Sequence, residues 1–183
     1  MYNGVGIPAV TQCIFWGDST HEIVGGSSAH IRFSDVQGGL PVGAVDGGGN
    51  IDLDPMFVRP PDPGPDGTWD GVDDDYGDLR LRGGSPCIDA GDRAFVPQPG
   101  ETDLQGHARV LCGRVDMGAY EFGIGDYDCN QEVNLTDFAA WEMCILGPDN
   151  GPYGDGCRAF DGNFDLNVDL RDFAIFQNSI FGP

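Results

Sequence analysis

The sequence contains no lysine, and nine arginines face 30 acidic residues, which gives a formal net charge of −21 at pH 7. A chain of this charge offers no basic patch for a phosphate backbone, so we expect no nucleic-acid partner. An anionic membrane surface is excluded for the same reason, and no run approaches the roughly 20 apolar residues of a membrane span. Cations, and neutral or cationic surfaces, remain as expected partners.

The six cysteines form no C-x-x-C pair, and no histidine lies near a cysteine cluster, so a zinc site is not expected. An even cysteine count in an acidic, loop-rich chain indicates an oxidising compartment. The sequence does not choose among the pairings. The favoured disulfide joins Cys144 and Cys157, because it would close the connector GPDNGPYGDG. Alternatively, Cys13, Cys87 and Cys112 are buried, inert thiols.

The stretch GDYDCNQEVNLTDF, residues 125–138, places an oxygen-bearing side chain at alternate positions and then enters an aromatic, helix-like run. Counted from Asp126 as position one, the oxygens fall at positions one, three, five, seven, nine and twelve, the ligand order of an EF-hand-type calcium loop. Position seven supplies a backbone carbonyl. The pattern departs from the EF-hand at position six, which is Gln131, and at position twelve, which is aspartate. The residues are Asp126, Asp128, Asn130, Glu132, Asn134 and Asp137.

The same order of oxygens recurs 35 residues later in DGNFDLNVDLRDF. Each loop leads into a helix-like run whose apolar residues form one stripe, Phe138/Trp141/Ile145 and Phe173/Phe176/Ile180. Because a helix of about three turns cannot bury its face alone, we expect the two halves to pack on each other. The second ligand set is Asp161, Asn163, Asp165, Asn167, Asp169 and Asp172.

Duplication of the full ligand set predicts two bound calcium ions, whereas a single copy would equally suit a solvated acidic loop. The acidic loop at 62–78 is a candidate for a third ion or, alternatively, a solvated charge run. Calcium loops of this type fill outside the cell. The start MYNGVGIPAV has no signal-peptide pattern. We therefore expect an extracellular or cell-surface protein whose export signal lies upstream of this sequence.

Five short segments in residues 1–123 predict strands, at 11–16, 29–36, 50–58, 77–83 and 113–122. They overlap the motifs CIFWGD, SDVQGG, GNIDLDPMFV, GDLRLRGGSPCIDAGD and DLQGHARVLCGRVDMGAYEF. Together these motifs resemble the closing coils of bacterial right-handed parallel β-helix surface proteins. The resemblance implies a mainly β fold in which residues 1–123 are the C-terminal part of a parallel β-helix, followed by a small α domain at 124–183.

Residues 124–183 resemble a type I dockerin, with two calcium loop–helix units joined by a connector. In that family the duplicated segment docks onto a cohesin and attaches a polysaccharide-degrading enzyme to a scaffold. Members often carry small hydroxyl residues at loop positions ten and eleven and basic residues on the following helix. The resemblance implies a cohesin-type protein partner, with an extracellular polysaccharide as a further candidate partner. The corresponding residues here are Leu135, Thr136, Glu142, Leu170, Arg171 and Gln177.

Two functional hypotheses follow. The favoured one is a non-catalytic, calcium-dependent interaction or anchoring module. The alternative is the C-terminal fragment of a β-helix polysaccharide lyase or glycoside hydrolase whose active site lies upstream. Carboxylates near the predicted strands are the candidates for catalysis within this chain, although such residues more often cap turns. They are Asp35, Asp52, Asp54, Asp89 and Asp116, and the three scattered histidines join no catalytic motif.

Overall fold

The structure is a computed structural model that describes residues 8–17, 29–69, 71–147, 152, 157–163 and 165–181, with side chains in the last helix described to Gln177. We call residues 8–123 the N-terminal segment and residues 124–181 the repeat segment. The described part of the N-terminal segment contains seven short strands. They are β1 (Ala9–Thr11), β2 (Ile14–Phe15), β3 (His30–Arg32), β4 (Asp35–Val36), β5 (Val45–Asp46), β6 (Phe57–Arg59) and β7 (Asp78–Leu81).

The strands form three small sheets rather than one continuous wall. Strands β1, β3 and β5 pair in parallel, with Val10 opposite Ile31, and β2 pairs in parallel with β4. Strands β6 and β7 pair antiparallel, with Phe57 opposite Leu81. One apolar cluster lies around Ile31 and Val36, and a second lies around Cys87 and Met117.

The parallel β-helix predicted for residues 1–123 is wrong: the described strands close no coil, and the fold is mixed α/β. A parallel solenoid requires each strand to pair in parallel with its counterpart in the next coil, and the antiparallel β6–β7 pair breaks that requirement. The predicted strand at 113–122 is also absent. Its amides bond elsewhere, since Met117 donates to the Cys87 carbonyl, Phe122 donates to the Asp116 carboxylate, and Gly118 has a φ of 102°.

The described part of the repeat segment contains two α-helices and one 3₁₀ turn. They are α1 (Leu135–Cys144), the 3₁₀ turn Cys157–Phe160 and α2 (Leu170–Phe181). Helix α1 begins at an Asn134 N-cap with a capping box to Asp137. Neither α-helix among the described residues is long and apolar enough to cross a membrane.

The two helices share one core, as their apolar stripes predict. Trp141 of α1 lies with its ring centroid 5.2 Å from Phe173 and 5.6 Å from Phe176, both on α2. Phe160 of the 3₁₀ turn packs against Trp141 from another side, at 5.1 Å. The stripe is only partly buried, because Phe138 and Ile145 are each more than a third exposed. The side chain of Ile180, which belongs to the predicted stripe, lies outside the described residues.

Candidate metal centre

Loop one brings three of its predicted ligands together. One carboxylate oxygen from each of Asp126, Asp128 and Asp137 lies within 4.8 Å of the other two. Asp126 and Asp137 are buried, at 1% and 0% exposure, whereas Asp128 faces solvent. The two buried carboxylates and the exposed carboxylate of Asp128 therefore form a cluster of oxygen atoms that is open to solvent on one side.

Backbone amides fold the loop around these carboxylates. Asp126 accepts hydrogen bonds from the N–H groups of Asn130 at 3.0 Å and Gln131 at 2.8 Å. Asp137 reaches back from the helix and accepts from the Tyr127 N–H at 2.8 Å. Asn130, at position five, accepts from the Glu132 N–H at 2.8 Å. The predicted ligand side chains therefore hold the loop in its conformation by accepting hydrogen bonds from its backbone amides.

Loop two repeats this arrangement. One oxygen from each of Asp161, Asp165 and Asp172 lies within 4.8 Å of the others, and Asp161 and Asp172 are each 1% exposed. Asp161 accepts from the Leu166 N–H at 3.2 Å, and Asp172 accepts from the Asn163 N–H at the same distance. The Leu166 bond is the counterpart of the Gln131 bond in loop one, and the Asn163 bond is the counterpart of a 3.3 Å bond from the Asp128 N–H to Asp137.

Position six adopts a left-handed backbone in both loops, although neither residue is glycine. Gln131 has a φ of 70° and Leu166 a φ of 64°. An EF-hand carries glycine here because the turn requires positive φ. The departure noted in the sequence therefore leaves the loop shape intact, at a conformational cost of about 1–2 kcal/mol per residue.

The last two predicted ligand positions also start the helix. In loop one, Asn134 accepts from the Thr136 N–H at 2.7 Å, and Asp137 accepts from the Asn134 N–H at 2.9 Å. In loop two, Asp169 accepts from the Arg171 N–H at 2.7 Å, and Asp172 accepts from the Asp169 N–H at 2.8 Å. The residues at positions nine and twelve thus cap the helix and are also the last two predicted ligands of the loop.

The electrostatics of loop one favour a bound cation. Burial raises the pKa of the Asp126 carboxyl, the amides of Gln131 and Asn130 oppose that rise, and the charges of Asp137 and Asp128 add to it. Placing three carboxylates together is costly unless a positive charge neutralises them. The donors are all oxygen, with no histidine or cysteine in either triad. This chemistry fits a hard ion such as Ca²⁺.

The remaining predicted ligands lie on the same loops. The Asn163 side chain accepts a hydrogen bond from the Asp165 N–H and donates one to the Asp165 carboxylate. Asn167 donates its backbone N–H to the Asp165 carboxylate and its side-chain amide to the Asp165 carbonyl. Glu132, at position seven, is exposed. Exposure of that side chain agrees with a position from which only the backbone carbonyl is expected to reach the ion.

In the acidic loop at 62–78, the described carboxylates bond mostly to their own backbone and to arginine. Asp75 pairs with Arg59 through two hydrogen bonds of 2.7 and 2.9 Å, and Asp66 accepts from the Thr68 N–H. No convergent group of three acids occurs among its described residues. Asp70 lies outside them.

All six residues at the predicted partner-recognition positions are exposed. Leu135 and Leu170, which are equivalent in the repeat and open the two helices, have 76% and 74% of their surfaces in solvent. The other four are Thr136, Glu142, Arg171 and Gln177. An apolar side chain at the exposed start of each helix is a feature that a contact surface uses.

The carboxylates considered for catalysis accept hydrogen bonds in the N-terminal segment, most of them from backbone N–H groups. Asp52 accepts from the Gly38 N–H, Asp54 from the Met56 N–H, and Asp116 from the N–H groups of Asp89 and Phe122. Buried Asp35 receives a hydrogen bond from the Cys87 thiol.

Asp89 adopts a φ of 53°, and burial raises the pKa of its carboxyl. His107 pairs with Asp103 at 2.8 Å, His30 is exposed, and His21 lies outside the described residues.

Two disulfides are present among the described cysteines. Cys144 pairs with Cys157, the pair favoured by its position around the connector. Cys112 pairs with Cys129, which sequence reasoning missed because no spacing signal links a residue of the N-terminal segment to position four of loop one. Cys13 and Cys87 are free thiols, and burial raises the pKa of Cys87 well above its ordinary value.

Comparison with protein-family models, with curated proteins and with solved structures finds no match to this chain.

Proposed function

We propose that this protein is a calcium-dependent, non-catalytic interaction module of an extracellular protein, built on the plan of a dockerin. Its partner is a protein of cohesin type, and the parent protein acts on or binds polysaccharide. The observation that carries the proposal is the pair of acidic triads, Asp126/Asp128/Asp137 and Asp161/Asp165/Asp172, which share positions one and twelve and each lead into one helix of a shared core.

Each calcium ion would be held by the carboxylates of its triad, by the amide oxygen of Asn130 in loop one or Asn163 in loop two, and by a backbone carbonyl at position seven. The ion would supply the positive charge that three converging carboxylates need. Because the position-twelve carboxylates also cap α1 and α2, metal binding and helix formation stabilise each other.

An interaction role suits the surface of the repeat segment better than a catalytic one. Its deep carboxylates are bonded by backbone amides, which leaves them poorly placed to exchange protons with a substrate. Leu135 and Leu170 instead present equivalent apolar side chains at the two helix starts. A partner that covers such a surface gains hydrophobic contacts at both ends of the repeat.

Calorimetric titration of the full chain with Ca²⁺, with circular dichroism before and after chelation, tests the metal part. We expect two sites and a calcium-dependent gain of helix. Glu142→Gln is the matched control, since it removes one exposed charge from α1 outside both triads and should bind two ions. Absence of binding, or helix that is indifferent to chelator, would overturn the proposal. Binding of a cohesin panel to immobilised, calcium-loaded protein then tests the partner.

A further inference from the structure

The two loops differ in how they are fastened to the rest of the chain. Cys129 stands at position four of loop one, between the ligand positions Asp128 and Asn130, and its sulfur is bonded to Cys112 of the N-terminal segment. Its backbone is held at a φ of 58°. The equivalent residue of loop two is Phe164, so that loop has no such cross-link. A covalent bond therefore enters one metal loop and not the other.

A second contact fastens loop one at position six. A Cβ on Gly83, two residues after β7, would lie 2.6 Å from the Gln131 carbonyl oxygen, so only glycine allows this close approach. The Phe122 ring lies beside the same glycine, 3.6 Å from that Cβ position. Positions four and six of loop one are thus both held against the N-terminal segment.

Both loops also border cavities shared with the N-terminal segment. Loop two contributes Asp161 and Leu166 to a cavity of about 140 Å³ whose lining includes His107. Asn130 and Gln131 of loop one line a second cavity. The difference between the loops is therefore the covalent bond, through which movement of loop one on metal binding acts directly on Cys112.

We propose that the Cys112–Cys129 disulfide couples metal occupancy of loop one to the stability of the N-terminal segment. This inference rests on the proposed function, because it requires that loop one binds Ca²⁺. The cross-link restricts loop one before the ion arrives, so the ion orders less chain and binds more tightly there than at loop two. Linkage is reciprocal, so the same ion stabilises the segment that carries Cys112.

Hydrogen exchange of the backbone amides of the full chain, with and without Ca²⁺, measures this coupling directly. In the wild type we expect Ca²⁺ to slow exchange of amides at 78–91 and 102–122. In Cys112→Ser/Cys129→Ser, Ca²⁺ should still fill both loops without protecting those amides. Cys13→Ser is the matched control, because Cys13 is a free thiol in the same segment, and it should behave as the wild type.

Calcium titrations of variants that retain a single site show which loop the disulfide affects. With Asp161→Ala removing loop two, the serine pair should weaken the remaining site by about tenfold. With Asp126→Ala removing loop one, it should leave the remaining site unchanged. Gly83→Ala keeps the disulfide and displaces Gln131, so it should weaken loop one through the second contact alone. Cys112→Ala/Cys129→Ala also removes the disulfide and serves if the serine pair does not fold.

Equal loop-one affinity and unchanged amide protection in the serine pair would overturn the coupling. If the serine pair does not fold, unchanged loop-one affinity and amide protection in Cys112→Ala/Cys129→Ala would do the same. A wild type that binds no Ca²⁺ would overturn the proposed function first, before any variant is compared.

Discussion

Trp141 and Phe176, one from each half of the repeat, pack with their ring centroids 5.6 Å apart and are 5% and 2% exposed. Neither loop–helix unit therefore forms a hydrophobic core by itself. The cluster also includes Phe160, Val168 and Cys144, so it draws on both halves and on the turn between them. The fold of each metal loop depends on the other half.

Phe176→Ala should destabilise the whole repeat segment rather than its second half. Loss of a fully buried phenylalanine costs about 3–5 kcal/mol, and the helices carry both position-twelve carboxylates. We expect the calcium affinity of both loops to fall in calorimetric titration. Met143→Ala, at a 70% exposed position of α1, should change stability by less than about 0.5 kcal/mol. Loss confined to loop two would show that the halves are independent.

Asp126→Ala and Asp161→Ala should each abolish one of two calcium sites. Each side chain is a buried carboxylate at position one, and each accepts the amide of the position-six residue. Titration should give a stoichiometry of one for either variant, with a lower thermal midpoint in Ca²⁺ because less ion binds the folded state. Two sites remaining in Asp126→Ala would remove loop one from the metal assignment.

Leu166→Gly should stabilise loop two. Leu166 holds a φ of 64° with 58% of its surface exposed, so glycine relieves backbone strain with little loss of packing. We expect a gain of about 1 kcal/mol in chemical unfolding and a modest increase in calcium affinity. Leu170→Gly is the contrasting change, since it places glycine at a helical position and should destabilise. A loss of stability in Leu166→Gly would show that its side chain contributes contacts that outweigh the strain.

Leu135→Asp and Leu170→Asp should weaken partner binding while leaving calcium binding unchanged. Both leucines are about three-quarters exposed and stand at position ten, outside the ligand positions. Surface plasmon resonance against the cohesin identified in the panel would measure the loss, with Val96→Asp, at a 75% exposed apolar position of the N-terminal segment, as the matched control. Unchanged binding in the double variant would place the contact surface elsewhere.

The pH dependence of stability should carry a contribution from Asp116. Burial raises the pKa of this carboxyl to about 7, although the amides of Phe122 and Asp89 oppose the rise. A folded pKa above the unfolded value means that the folded state holds the proton more tightly. Its contribution is therefore greatest below about pH 4 and is lost as pH rises towards about 7.

Unfolding of Asp116→Asn, compared with the wild type in urea at several pH values, isolates that contribution. The difference between the two proteins should vary by up to roughly 1.4 kcal/mol per pH unit over this interval and become constant above it. The Arg109–Glu121 ion pair and Asp89 lie near Asp116 and are common to both proteins, so their titration largely cancels. A difference independent of pH would contradict the raised pKa.

The repeat segment was predictable because its signal is local. Ligand spacing fixes which oxygens converge, and Asn134 and Asp137 mark the helix start within four residues of sequence. The apolar stripes likewise indicated a shared core, although Phe138 proved 40% exposed because only part of each stripe reaches the other helix.

The N-terminal segment was not predictable in the same way. Strands of two to four residues give an apolar pattern but do not specify which strand pairs with which, or in what direction. At 113–122 the pattern suggested a strand, yet buried Asp116 and Glu121 compete for backbone amides that a ladder would need. The Cys112–Cys129 bond depends on tertiary arrangement and has no signature in the sequence.

The position of the two disulfides bears on how the chain would survive proteolytic nicking. Cys144 and Cys157 enclose the connector between the two halves, and Cys112 and Cys129 enclose the junction near residue 123. A protease that cuts once inside either ring produces fragments that remain covalently joined. A protease could therefore open the backbone at both of these connections without releasing the repeat segment from the N-terminal segment.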